Sequence, residues 1–187
     1  MPLGAARFGL LGGVADLGTL QLIQTQSHST NVSSIDFTSI KESEYDTHLL
    51  TINNLTAGAS LGIAGIQFYE AGVLETSTVY EYAYWYITSG GSSSEVRNNT
   101  NATLIPFQNQ SSANVTNAWL WFGDLGLSNQ IKNMFFHQVG DVSGTFSTYN
   151  GGGVLPQQSV VDGIRITNTG AVNFTDYDIS LYGLVKA

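Results

Sequence analysis

The chain has 187 residues, of which 42% are hydrophobic and only 11% are charged, and its 14 acidic and 6 basic residues give a formal net charge of −8. Such a chain is unsuited to nucleic acid or to an anionic membrane surface, because both need a clustered basic patch and the basic residues here are scattered singly. The absence of cysteine excludes disulfides and thiolate metal ligands.

The length predicts one compact domain with a single core. Because so few residues are charged, the polar surface must consist largely of Ser, Thr, Asn and Gln. Contacts made by a surface of this kind depend little on salt, since little of their energy is screenable Coulomb attraction.

Residues 1–18 are apolar, interrupted by glycine and without a clear period. Two interpretations are open, a frayed terminus or an assembly arm, and we expect an arm, because an exposed apolar tail would seek a partner. No basic residue precedes the apolar run, so we expect no secretory signal, and the run is too short to span a bilayer. The expected partner-binding residues of the arm are Leu3, Phe8, Leu10, Leu11 and Val14.

From residue 19 to residue 187 the sequence alternates short apolar runs with turn residues, the spacing expected of a single antiparallel β-sandwich. No stretch of helical length has a convincing helical period. Glycine-rich or asparagine-rich loops are expected at 90–94, 98–101 and 151–153. The predicted strands are 19–25, 34–40, 47–53, 61–69, 79–87, 103–107, 118–122, 133–139 and 145–149, followed by a terminal pair.

The terminal pair lies within residues 160–187. Ile164 and Ile166 alternate with polar neighbours, and a second alternation follows from Ile179 to Val185. Turn-forming residues separate the two runs, which predicts an antiparallel pair that closes the chain onto its core.

Two predicted strands are unusually aromatic. Four tyrosines alternate along one of them and two tryptophans share a face of the other. Ordinary core packing is one interpretation, and a flat aromatic strip that contacts a sugar ring or a neighbouring subunit is the other. The residues of this possible glycan or subunit contact are Tyr80, Tyr82, Tyr84, Tyr86, Trp119 and Trp121.

Motifs for catalysis are weak. Residues 58–62 match G-x-S-x-G, but the following residues predict a strand where that motif needs a helix. His48, beside Asp46, has the spacing of an oriented general base, although such a residue more often begins a strand. Two carboxylate clusters lack the loop of a calcium site: Asp176 with Asp178, and Glu42 with Glu44 and Asp46. We therefore predict no catalytic residue, no metal and no cofactor, while carboxylates from distant strands keep a glycosidase arrangement open.

Several segments together resemble a family of small virion structural proteins of tailed bacteriophages, common among marine phages. They are MPLGAARFGLLGG, ADLGTLQLIQTQS, SIDFTSI, HLLTINNLT, YEYAYWY, DGIRI and SLYGLVK. The resemblance implies a jelly-roll-like β-sandwich displayed on the particle and made in the bacterial cytoplasm of the host. It transfers no site residue.

The expected function is a non-enzymatic virion structural protein on the particle surface, as capsid decoration or head fibre. The arm would dock it to other virion proteins of the capsid or tail, and a homo-oligomer is expected, with a trimer favoured. An alternative is a tail fibre or receptor-binding module that recognises host surface glycan. A third is an enzyme that cleaves surface polysaccharide.

Overall fold

Strands form the regular structure of the described residues, which in this computed structural model are 19–58, 62–109, 115–142, 144–170 and 172–185. The expected arm, residues 1–18, lies outside them. The strands are β1 Leu20–His28, β2 Ser34–Thr38, β3 Tyr45–Ala57, β4 Ile63–Glu70, β5 Val73–Leu74, β6 Tyr80–Thr88, β7 Ser93–Ala102, β8 Ile105–Asn109, β9 Thr116–Gly123, β10 Lys132–Val142, β11 Thr145–Leu155, β12 Val161–Asn168 and β13 Phe174–Val185.

These strands form two sheets that pack face to face. The large sheet has eight strands in the order β1-β13-β3-β9-β10-β11-β6-β7. The small sheet has the order β2-β12-β4-β5, and β8 pairs with β4. The strand pairings within both sheets are antiparallel. The predicted all-β antiparallel sandwich is therefore confirmed.

The core lies between the inner faces of the two sheets. In β9 every second residue is buried, so that Leu120 and Phe122 point inward from the large sheet. Phe68 of the small sheet meets Phe122 edge to face, with ring centroids 6.0 Å apart. This alternation arises because one face of each sheet is removed from water while the other is not.

The two last strands do not pair with each other, so the predicted terminal pair is wrong. β12 lies between β2 and β4 in the small sheet, whereas β13 lies between β1 and β3 in the large sheet. The connection after Asn168 thus passes from one layer to the other. Alternation in sequence fixes which face of a strand is buried, but it does not choose the strand's partner.

Two predicted loops are strands instead. Residues 98–101 lie within β7, which also takes in the end of the predicted loop at 90–94. β7 is an edge strand with mostly exposed polar side chains, so it lacks the apolar alternation of a half-buried strand. Residues 151–153 lie within β11, where a Cβ atom at Gly151 would be 2.5 Å from the Ala83 carbonyl oxygen. Close approach of neighbouring backbone explains these glycines better than a loop does.

Candidate interaction face of the large sheet

The outer face of the large sheet, which points away from the small sheet, is continuous across all its strands. One row of directly paired residues starts at the β1 edge and ends at the β7 edge. In order it contains Leu22, Tyr182, Leu49, Trp121, Phe135, Gly152, Ala83 and Arg97. The next row contains Thr25, Ser180, Thr51, Trp119, His137, Asn150, Trp85 and Glu95.

Large apolar side chains on this outer face are open to solvent. Leu22 is 60% exposed, Phe135 58% and Phe146 55%, and the indole rings of Trp85 and Trp119 are 41% and 40% exposed. Soluble monomers rarely leave a contiguous apolar surface of this kind without a function for it. The outer face is therefore the first candidate for a contact with another molecule.

Aromatic rings at the centre of the outer face are held by one another. The rings of Trp121 and Phe135 are stacked, with centroids 6.2 Å apart and an interplanar angle of 10°. Trp119 contacts His137 at 5.9 Å, and the Nε2 atom of His137 lies 3.0 Å from the Thr148 hydroxyl oxygen. Rings fixed in this way form a flat platform that needs little ordering when a partner binds.

A trough of about 980 Å³ lies beside this platform, over β10, β11, β6 and β7. Its floor includes Gly152 and Ala83, which face each other across β11 and β6 and carry little or no side chain. Its sides carry the Phe135 ring and polar side chains, of which one is acidic and one is basic. The charged and amide residues that line the trough are Glu81, Arg97, Asn98, Asn99 and Asn133.

The trough exists because small residues interrupt the outer face between larger ones. In the first row Gly152 and Ala83 stand between the Phe135 ring and the Arg97 side chain. A Cβ atom at Gly152 would collide with the carbonyl oxygen of Met134, so the close spacing of β10 and β11 requires glycine here. The packing requirement thereby leaves a depression in the surface.

The four predicted tyrosines of β6 do share a face, but it is the inner face. Tyr80 is fully buried, its hydroxyl donates to the Glu75 carbonyl oxygen at 3.0 Å, and burial raises its pKa. It therefore cannot touch a glycan or another subunit. Tyr82, Tyr84 and Tyr86 are half-buried and pack against the core.

The half-buried tyrosines form a ladder of contacting rings. Tyr82 stacks on Tyr84 at 6.0 Å, and Tyr86 stacks on Tyr149 at 5.2 Å. Burial raises the pKa of Tyr84 to about 12, with further contributions from the neighbouring tyrosines. These rings contribute to packing between the sheets, which was the alternative to the aromatic strip.

Trp119 and Trp121, by contrast, lie on the outer face as a contact surface requires. Phe135 and Trp85, which the sequence did not single out, also lie on the outer face. Trp85 alternates with the inward tyrosines, so its outward position was a signal available in the sequence. Phe135 adjoins Phe136, and the sequence pattern does not decide which of the two faces the core.

The candidate general base, His48, lies in the core of the sandwich. His48 is fully buried, with Nε2 2.9 Å from the Ile40 carbonyl oxygen, and burial lowers its pKa. Residues 59–61 of the G-x-S-x-G match lie outside the described residues, and a strand, β4, follows. Asp176 accepts a hydrogen bond from Asn54 at 3.0 Å.

The described residues contain no group of three or more His, Asp or Glu side chains placed to hold a metal ion. Leu3, Phe8, Leu10, Leu11 and Val14 of the expected arm lie outside the described residues.

Comparison of the chain with protein-family models and with curated proteins found no match. Within the described parts of the chain, no helix has the length and apolar character needed to span a bilayer.

Proposed function

We propose that this chain is a non-enzymatic structural protein displayed on the surface of a bacteriophage particle, as capsid decoration or head fibre. In this proposal residues 1–18 dock the sandwich to other virion proteins, and the sandwich forms a homo-oligomer, with a trimer favoured. The resemblance of the sequence to small phage virion proteins and the confirmed β-sandwich support it.

The exposed apolar outer face is the observation that carries the proposal. Leu22 lies in β1, at the edge of the large sheet, and Trp119 lies in β9, the fourth strand from that edge. Apolar surface therefore extends from the edge to the centre of the sheet. The cores of protein interfaces are enriched in aromatic residues and depleted in charge, as is this surface. Burial of this surface against further copies would stabilise an oligomer with little dependence on salt.

Gold-labelled antibody against the chain, applied to intact phage particles and viewed by electron microscopy, tests the location. Label over the head supports a decoration or head-fibre protein. Label confined to the tail replaces that role with a tail-fibre role, and absence of label from particles contradicts the proposal.

Self-association is tested by measuring the mass of the purified chain in solution. Leu22→Asp and Trp119→Asp each place a charge on the outer face and should shift the oligomer towards monomer, because a buried unpaired charge is costly. Val73→Asp is the matched control, since Val73 is 69% exposed but belongs to β5 of the small sheet. A monomeric wild-type chain, or an equal effect of all three changes, would contradict this part of the proposal.

A second candidate function is recognition of host surface glycan. The stacked pair of Trp121 and Phe135 favours it, because a flat exposed aromatic platform suits the apolar face of a sugar ring. The wild-type protein should bind isolated bacterial envelopes, and Trp119→Ala or Trp121→Ala should weaken that binding. Failure of the wild-type protein to bind envelopes of the host would remove this candidate.

A further inference from the structure

We propose that the trough beside the aromatic platform is a binding site for a neutral oligosaccharide. The inference rests on the second candidate function and makes it specific, because it moves the centre of recognition from the tryptophans to the space between Phe135 and Arg97. It assigns a ligand class to residues that sequence reasoning did not select.

One side of the trough offers an aromatic surface in a fixed orientation. Phe135 is 58% exposed and lines the trough, while Trp121 stacks against it from the neighbouring strand. The stack limits rotation of the Phe135 ring, so a sugar that packs its C–H face there loses little free energy to ordering of the protein. The platform supplies affinity without requiring a particular hydroxyl pattern.

The remaining polar groups of the trough supply hydrogen bonds. Arg97 comes from the edge strand β7 and Glu81 from its neighbour β6, and Asn99 and Asn133 contribute amides from opposite sides. Together these side chains offer donors and acceptors in fixed planar groups, which match the hydroxyls of a sugar. Within the described residues, the side chains of Arg97 and Glu81 make no hydrogen bond or ion pair with one another or with a third group.

The charge of the trough selects against ionic ligands. Arg97 is the single basic residue and Glu81 the single acidic residue among its described lining residues, so their charges offset each other. A nucleic acid needs several cations along its backbone, and the chain as a whole carries a net charge of −8. A lipid tail would offer no hydrogen bond to the side chains of Glu81, Arg97 and Asn133, which is unfavourable. A neutral polyhydroxylated ligand suits the offset charges of the trough and can hydrogen-bond to its polar side chains.

The size of the trough fits more than one sugar ring. Its volume of about 980 Å³ lies at the upper end of the range of about 300 to 1,000 Å³ typical of small-molecule sites. It crosses four strands, a width of roughly 14 Å at the usual strand spacing. We therefore assign it a short oligosaccharide.

The test is calorimetric titration of the purified full-length chain with neutral hexasaccharides of glucose, mannose and galactose, and with hexagalacturonate as the anionic comparison. Phe135→Ala removes the aromatic ring from the side of the trough, and Ala83→Trp fills the trough. Each should weaken binding of the neutral ligand by about tenfold or more. Trp85→Ala is the matched control, because Trp85 is an exposed aromatic residue of the same outer face that does not line the trough. The affinity of this variant for the neutral ligand should equal that of the wild type.

Several results would overturn the inference. They are the absence of binding to every neutral hexasaccharide at millimolar concentration, tighter binding of hexagalacturonate, and equal losses in Trp85→Ala and Phe135→Ala. If Ala83→Trp dissociates an oligomer and no sugar binds, the trough holds a neighbouring copy of the chain instead.

Envelope binding separates this inference from the function on which it rests. If Phe135→Ala and Ala83→Trp still bind host envelopes while Trp119→Ala does not, glycan recognition stands and the trough is the wrong place. If the wild-type chain binds a neutral hexasaccharide but no host envelope, the site stands and the host-recognition function falls.

Discussion

At the level of single residues, His48 shows how burial shifts the pKa of a side chain. Its side chain is fully buried and the ring meets Tyr45 edge to face at 6.0 Å. Removal from water lowers its pKa, although the bond to the Ile40 carbonyl oxygen and the charges of Glu42 and Asp46 act in the opposite direction. The folded protein therefore binds a proton at this histidine less readily than an unfolded chain does.

This difference makes stability depend on pH. As pH falls through the ordinary histidine pKa of about 6.5, the unfolded chain takes up a proton at His48 more readily than the folded chain does, so stability falls as pH decreases. Between about pH 7.5 and about pH 5.5 we expect a loss of at most about 1.4 kcal/mol in the free energy of unfolding. Urea unfolding at both pH values measures it.

His48→Gln should remove most of that dependence while lowering stability at the higher pH, because the buried packing and hydrogen bond are altered. His28→Gln, which changes a histidine with an exposed side chain, is the matched control. If His48→Gln retained the full dependence on pH, another group would be responsible.

At the scale of strands, the sequence predicts faces better than partners. Alternation along β6 and β9 correctly grouped the residues of each strand by face, because the period of a strand is a local property, but it did not decide which face is buried. Whether β12 pairs with β13 depends on which distant strand offers a matching buried face, and β13 takes β3, where Leu181 meets Leu50 and Ile179 meets Ile52. That choice has no local signature.

The glycines of β11 led to the wrong prediction of a loop at 151–153, for a related reason. Local propensity favours a loop at 151–153, whereas the structure uses small residues to let β6 and β10 approach β11. Propensity is a weak constraint when packing on both sides of a strand demands the absence of a side chain.

Gly151→Ala tests this explanation. The added Cβ atom would lie 2.5 Å from the Ala83 carbonyl oxygen and from the Tyr84 Cα atom, so β6 and β11 would have to separate. We expect a loss of about 3 kcal/mol in the free energy of unfolding, measured in urea. Gly90→Ala is the control, because its nearest neighbour, a methyl group of Thr145, lies at an ordinary contact distance of 3.6 Å. Equal midpoints for the two variants would refute the packing explanation.

At the scale of the whole molecule, the candidate site depends on sheet order. The trough combines residues from β6, β7, β10 and β11, which span positions 81 to 154 of the chain. Trp119 and Trp121 could be recognised in sequence because both lie in one strand. The trough could not, because it arises only when β11 is inserted between β10 and β6.

In the proposed function, residues 1–18 dock the protein to its partners, and the sandwich forms the body of the protein. β1 begins at Leu20, and its residues pair with β13 up to His28. Arg7 and Asp16 are the only charged side chains in residues 1–18, so contacts made by this segment should be mainly apolar.

Deletion of residues 1–18 should therefore leave the sandwich folded but abolish its assembly with virion partners. Circular dichroism and the urea midpoint should match those of the full chain, while co-sedimentation with particles should be lost. For the full chain, sedimentation with particles should persist in about 1 M sodium chloride, where the Debye length is only about 3 Å. Assembly that survives the deletion would assign docking to the sandwich, and release of the full chain by salt would show that charged groups hold it.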